Sequence, residues 1–106
     1  AAAFEQMREH AVVVNTARGA VVDVDDLLAA LEAGEVAGAG LDVLPEEPPE
    51  PSALLTRNDV VTTPHVAWYS EESYEELRRS ATRDVIRAIR GEQPDGLVNA
   101  ERLDGG

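Results

Sequence analysis

Four consecutive apolar residues, Ala11-Val12-Val13-Val14, confine most of what this chain can become. Three adjacent β-branched side chains lose rotamer freedom in a helix and sit well on a pleated strand. The run does not alternate with polar residues, so it reads as a strand buried on both faces, as strands of parallel sheets are. Two later runs follow the same logic. Gly38-Ala39-Gly40-Leu41-Asp42-Val43 reads as a second buried strand whose small residues allow close backbone approach. Val60-Val61-Thr62-Thr63 reads as a third, ended by Pro64.

Helical periodicity fills the intervals. Asp23 or Asp25 can cap a helix whose apolar face is Leu27, Leu28 and Leu31, and Gly34 supplies a left-handed stop. Ser70 or Ser73 opens a longer helix in which Tyr74, Leu77, Ala81, Val85, Ala88 and Ile89 recur three or four residues apart, with Gly91 as its stop. Glu71, Glu72, Glu75 and Glu76 lie near its start and Arg83, Arg87 and Arg90 near its end, which suits the helix dipole. Ahead of the first strand, Phe4 and Met7 predict the end of a surface helix within residues 2–9. Strand, helix and strand in so short a space predict parallel βαβ winding with a right-handed crossover. The fold class is α/β: a partial, Rossmann-like parallel sheet of about three strands with flanking helices. Three short strands cannot make a well-covered doubly wound sheet, so residues 1–91 read as one edge of a larger domain and residues 92–106 as a polar, Gly-ended tail.

Composition narrows the function classes. An apolar share of 43% argues against disorder, and no apolar run approaches the roughly 20 residues of a membrane span. The opening Ala-Ala-Ala lacks a basic region and a cleavage pattern, so it does not read as a signal peptide. Twenty-one acidic residues against nine basic ones, all Arg, give a net charge of −12, a field that repels phosphate backbones and argues against nucleic acid as a partner. Adaptation to high salt and ordinary acidity both accommodate that charge. Without cysteine there is no disulfide and no thiolate chemistry.

Polar residues gather just past the end of each strand, the edge where open parallel sheets bind ligands. Arg18, in Asn15-Thr16-Ala17-Arg18-Gly19, is either a surface residue in a turn or a permanently charged fork for a carboxylate. Asp42 ends a buried strand, where a charge must find a partner. The loop after it, with Glu46, Glu47 and Glu50 among four prolines, is stiff, and taken alone reads as a solvated loop. His65 is the side chain type suited to proton transfer, though a lone histidine is more often structural; His10 reads as structural. Trp68 either lines a pocket or fills the space between sheet and helix. Together, an arginine, a carboxylate and a histidine at successive strand ends suit an anchored acid–base pair.

Asn15-Thr16-Ala17-Arg18-Gly19, then Gly40-Leu41-Asp42-Val43 with Glu47-Pro48, then Thr63-Pro64-His65 resemble the D-isomer-specific 2-hydroxyacid dehydrogenases in order and spacing, over residues 1–99. His65 to Glu72 looks particularly like the branch that includes the C-terminal-binding-protein corepressors, which retain the fold and bind NAD. The resemblance implies that Arg18 holds the substrate carboxylate and polarises its C2 oxygen. It implies that His65 exchanges a proton with that oxygen, while Glu47 orients the ring and keeps its proton affinity high. Asp42, His65, Ala67 and Trp68 would meet the nicotinamide end of NAD, and Thr16, Ala17 and Arg18 would line the cofactor; NADP is not excluded. No metal is implied. Glutamate rather than glutamine at 47 separates the chain from the formate dehydrogenase branch.

The chain contains no G-x-G-x-x-G after a strand, so the phosphate cradle of a dinucleotide site is not among its residues. The expectation is therefore a fragment whose parent is a cytoplasmic, homodimeric NAD-dependent oxidoreductase acting on a small 2-hydroxy or 2-oxo acid, the fragment alone being inactive. The alternatives are an NAD-sensing, corepressor-like interaction module and an inactive remnant.

Overall fold

The three apolar runs form one parallel sheet, β1 (Val12–Asn15), β2 (Gly38–Leu41) and β3 (Val60–Thr62), in the order β1-β2-β3. These elements belong to a computed structural model that describes residues 2–100 and divides into two units, one through Ala67 and one from Trp68 onward. In the first unit the register sets Val13 beside Ala39 and Ala39 beside Val60. Between β1 and β2 runs helix α1 (Val24–Ala33). Asp23 is its cap, its carboxylate accepting from the backbone N–H groups of Asp25 and Asp26 at 3.1 and 3.0 Å. Gly34 ends it at φ 74°, where a side chain would be strained.

Strand pleating decides which residues meet the helix. Val13, Ala39, Leu41 and Val60 share one face and pack with Leu27, Ala30 and Leu31 of α1, joined by Phe4, Val36 and Leu54. On the opposite face Val12, Val14 and Val61 remain 62%, 68% and 66% exposed, with the glycines of β2 between them. Within the first unit the expectation of strands buried on both faces is therefore not met: α1 covers one face, and the other presents valine.

The N-terminal segment also differs from expectation. Instead of an α-helical end, residues Phe4–Gln6 make a single 3-10 turn that stops at Met7, whose backbone is extended. Phe4 is apolar because it plugs the core, while Met7 lies exposed. The spacing of three was a turn.

In the second unit, α2 (Glu71–Ile89) is opened by Ser70, whose hydroxyl accepts from Ser73 N–H at 3.0 Å while Ser73 Oγ accepts from Ser70 N–H at 2.8 Å. None of its residues is buried, and Tyr74, Leu77, Val85 and Ile89 are exposed along the apolar stripe. The segment after it folds back on the helix. Arg87 donates to Gln93 O at 2.9 Å and pairs with Asp95 at 2.7 Å, and the Asp84 carboxylate accepts from the N–H groups of Asp95 and Gly96. Residues 101–106 of the expected tail lie outside the described residues.

Leu27 is 0% exposed at the centre of the core. Leu27→Ala is expected to destabilise the protein by about 2–5 kcal/mol through lost burial and the cavity left behind, read as a lower denaturant midpoint at unchanged slope.

Candidate active site

Each strand hands its chain to a loop at the same edge of the sheet. After β1, Asn15 is buried, at 5% exposure. Its side-chain Nδ2 donates to Arg18 O at 2.9 Å and its Oδ1 accepts from Ala17 N–H at 3.1 Å, while its own carbonyl accepts from Asp42 N–H. The turn so closed leaves Thr16, Ala17 and Arg18 exposed. Gly19 then packs against the backbone of Leu44 and Pro45, where a Cβ would fall inside those atoms. Arg18 Nη1 donates to Ala17 O at 2.6 Å.

After β2 comes Asp42, also 5% exposed. Its carboxylate accepts from Thr63 Oγ1 and, at 2.9 Å each, from the N–H groups of Val66 and Ala67, and its carbonyl accepts from His65 N–H at 2.9 Å. The Thr63 hydroxyl bond is the main reason that the Asp42 carboxyl lies below its ordinary value; burial opposes the shift, and the two N–H donors add to it. These bonds tie the turn after β3 to the end of β2. Within that turn His65 adopts φ 56°, a left-handed conformation that a non-glycine residue keeps only when its surroundings impose it.

The His65 ring completes the arrangement. Its Nδ1 lies 2.7 Å from Glu47 Oε2, and Glu47 Oε1 accepts from Leu44 N–H at 3.0 Å. The bond to His65, and after it the Leu44 N–H, holds the Glu47 carboxyl below its ordinary value. An ionised Glu47 only accepts hydrogen bonds, which assigns the proton to Nδ1. Arg18, Glu47 and His65 line one cleft of about 290 Å³, together with Gly19, Ala20, Val43, Leu44 and Pro45. A second cleft, about 390 Å³, shares Glu47 and His65 and is otherwise walled by Asp42, Leu44, Pro48, Pro49, Leu55 and residues Thr62 to Pro64.

The structure thus brings Arg18, Glu47 and His65 to one cleft. Asp42 lines the neighbouring one, and its carboxylate organises the His65 turn. The Ala67 N–H is committed to Asp42. Thr16 and Ala17 are exposed on the Arg18 loop. Trp68 belongs to the second unit, where it packs edge-on against Tyr69 with ring centroids 5.6 Å apart. Sequence reasoning passed over three contributors: Asn15, Thr63 and Gly19. Their signal was a polar or glycine residue directly at the end of an apolar run, where a side chain is buried yet must be satisfied. Among the described residues no cluster of three or more His, Asp or Glu is placed to hold a metal ion.

The exposed Thr16–Arg18 loop and the His65 turn stand at the C-terminal edge of parallel strands, the edge where open sheets of this kind receive ligands. A cleft of about 290 Å³ suits a small acid rather than a whole nucleotide.

Residues 1–67 match the family described as D-isomer specific 2-hydroxyacid dehydrogenase, NAD binding domain. A glyoxylate reductase of Thermofilum pendens is 43% identical over 101 residues, 94% of this chain and 30% of that protein. One of Pyrococcus furiosus is 44% identical over 95 residues, 90% of this chain and 28% of that protein. The crystal structure of a D-isomer specific 2-hydroxyacid dehydrogenase family protein from Klebsiella pneumoniae 342 superposes with a TM-score of 0.76 at 39% identity, over 93% of this chain and 32% of that one. The chain therefore spans less than a third of the length of these relatives.

Asp42 and Glu47 both have carboxyls below their ordinary values. What they contribute to the order of the His65 turn is therefore complete above the usual carboxylate value near pH 4 and is lost as pH falls through the lowered values. Hydrogen exchange at Val66 and Ala67 N–H is expected to stay protected at pH 5 and to open only below about pH 4. Asp42→Asn keeps one acceptor oxygen and puts a donor in place of the other, so it is expected to open one of the two amides already at pH 7.

Proposed function

The chain belongs to the D-isomer-specific 2-hydroxyacid dehydrogenases, and we propose that the protein carrying it is an NAD(H)-dependent oxidoreductase of small D-2-hydroxy and 2-oxo acids. The observation that carries this reading is the 2.7 Å His65–Glu47 pair opening on the cleft that Arg18 also lines. Bound NADH supplies the hydride that C2 of the oxo acid accepts. Arg18 takes the substrate carboxylate with two parallel N–H donors and draws charge from the C2 oxygen as it becomes an alkoxide. His65 gives that oxygen its proton from Nε2 and recovers it in the reverse direction. Glu47, fixed by Leu44 N–H, holds the ring by Nδ1 and offsets the positive charge of the imidazolium. Asp42 sets the turn on which the ring is mounted, and Thr16, Ala17 and Ala67 border the nicotinamide end.

The relatives named above are reductases and dehydrogenases, which favours an enzyme over an NAD-sensing, corepressor-like module. The intact His65–Glu47 bond argues against a remnant. NAD is the cofactor in the family's description, and NADP is not excluded. No helix among the described residues is long and apolar enough to cross a membrane, and the net charge of −12 disfavours nucleic acid. For the whole protein we further propose a cytoplasmic homodimer acting on a free small acid.

The test is kcat/KM for oxo-acid reduction against pH in the full-length protein. Glu47→Gln keeps the side chain's shape and removes the charge that favours the imidazolium. The pH above which reduction falls off is expected to move down by about one unit or more, with a smaller change in KM. His65→Ala is expected to abolish most turnover while NADH still binds. Superimposable profiles for wild type and Glu47→Gln would contradict the acid–base pair.

A further inference from the structure

The geometry points to Asn15 as a positioning residue that fixes Arg18 for the substrate carboxylate, an inference that rests on the anchoring role proposed for Arg18 above. Asn15 is 5% exposed, and both polar atoms of its side chain are bonded to the backbone of the segment that presents the arginine. Oδ1 holds Ala17 N–H and Nδ2 holds Arg18 O, so one amide brackets the Ala17-Arg18 dipeptide from both ends. The residue's own carbonyl accepts from Asp42 N–H at 3.0 Å, which fixes the bracket to the strand that also carries the His65 anchor. Gly19 seals the far end of the loop against Leu44 and Pro45.

The chemistry of the bracket selects an amide. A donor and an acceptor are needed on one short, planar group: aspartate keeps the acceptor and loses the donor, and serine is too short to span both contacts. Arg18 is exposed and its side chain has many rotamers, so a loop free to shift would present the guanidinium in many places. Holding its backbone at both ends leaves only the side chain to be ordered on binding. A displacement near 1 Å at such a group costs about a hundredfold in rate.

A buried asparagine at a strand end could instead serve the fold alone, and a double-mutant cycle in the full-length protein separates the two roles. Asn15→Asp is expected to lower kcat/KM for a 2-oxo acid by about ten- to hundredfold, raising KM and lowering kcat together, with the Kd for NADH changed by no more than about twofold. In an Arg18→Lys background, whose fork is already lost, the same replacement is expected to add about twofold or less. An equal further loss in both backgrounds, or a lowered Tm with unchanged kcat/KM, would overturn the positioning role. Should Asn15→Asp fail to fold, Asn15→Ser carries the cycle with the same expectations. A fully active Arg18→Lys protein would overturn the anchor and this inference with it. A damaged Arg18→Lys beside an unaffected Asn15→Asp overturns the role of Asn15 alone.

Discussion

Asp42 stands at the end of the middle strand, and the hydrogen bonds its buried carboxylate accepts from Thr63, Val66 and Ala67 decide where the turn after β3 can go. A charge buried without partners would cost several kcal/mol. The loop that supplies those partners is thus drawn back over the sheet edge, and His65 is carried with it into a left-handed conformation. The Glu47 contact is downstream of this. Its carboxylate can reach the ring because the ring has already been placed, and Leu44 N–H steadies the carboxylate from the other side. Structure and chemistry are joined at this point: the bonds that relieve a buried charge also set the direction of an acid–base side chain.

The parallel sheet supplies the common edge. Three strands running the same way end together, so three loops far apart in sequence deliver Arg18, Asp42 with Glu47, and His65 to neighbouring positions. Close backbone approach does the rest. Asn15 O meets Asp42 N–H, and Gly19 lies against Leu44 and Pro45, so the first two loops are pressed together and leave a cleft sized for a small anion rather than a nucleotide. The chain spans less than a third of the length of the relatives it matches.

Much of this was legible in the sequence because it depended on local rules. The valine run, the Asp23 and Ser70 caps and the Gly34 stop each follow from single-residue conformational preferences, and the structure repeats them. Arg18, Glu47 and His65 could be named as candidates from their place after the strands and from the family motif, and the cleft brings those three together. What the residues could not reveal was tertiary. Phe4 reads as part of a helix until its burial shows that it is a plug behind a 3-10 turn. The valines of β1 announce two covered faces, while the first unit by itself covers one. Asn15 and Thr63 are small polar residues that local pattern assigns to turns, and their partners are found only once the loops are folded.

The central claim is that Arg18 and the Glu47-held His65 address the two ends of one small oxo acid. It is tested most directly by a crystal structure of the full-length protein with NADH and oxamate, a 2-oxo acid analogue that accepts no hydride. The account expects both carboxylate oxygens on the Arg18 guanidinium, the carbonyl oxygen within hydrogen-bond reach of His65 Nε2, and Nδ1 still on Glu47. Oxamate seated away from Arg18, or a His65 ring turned from Glu47 toward another partner, would contradict it.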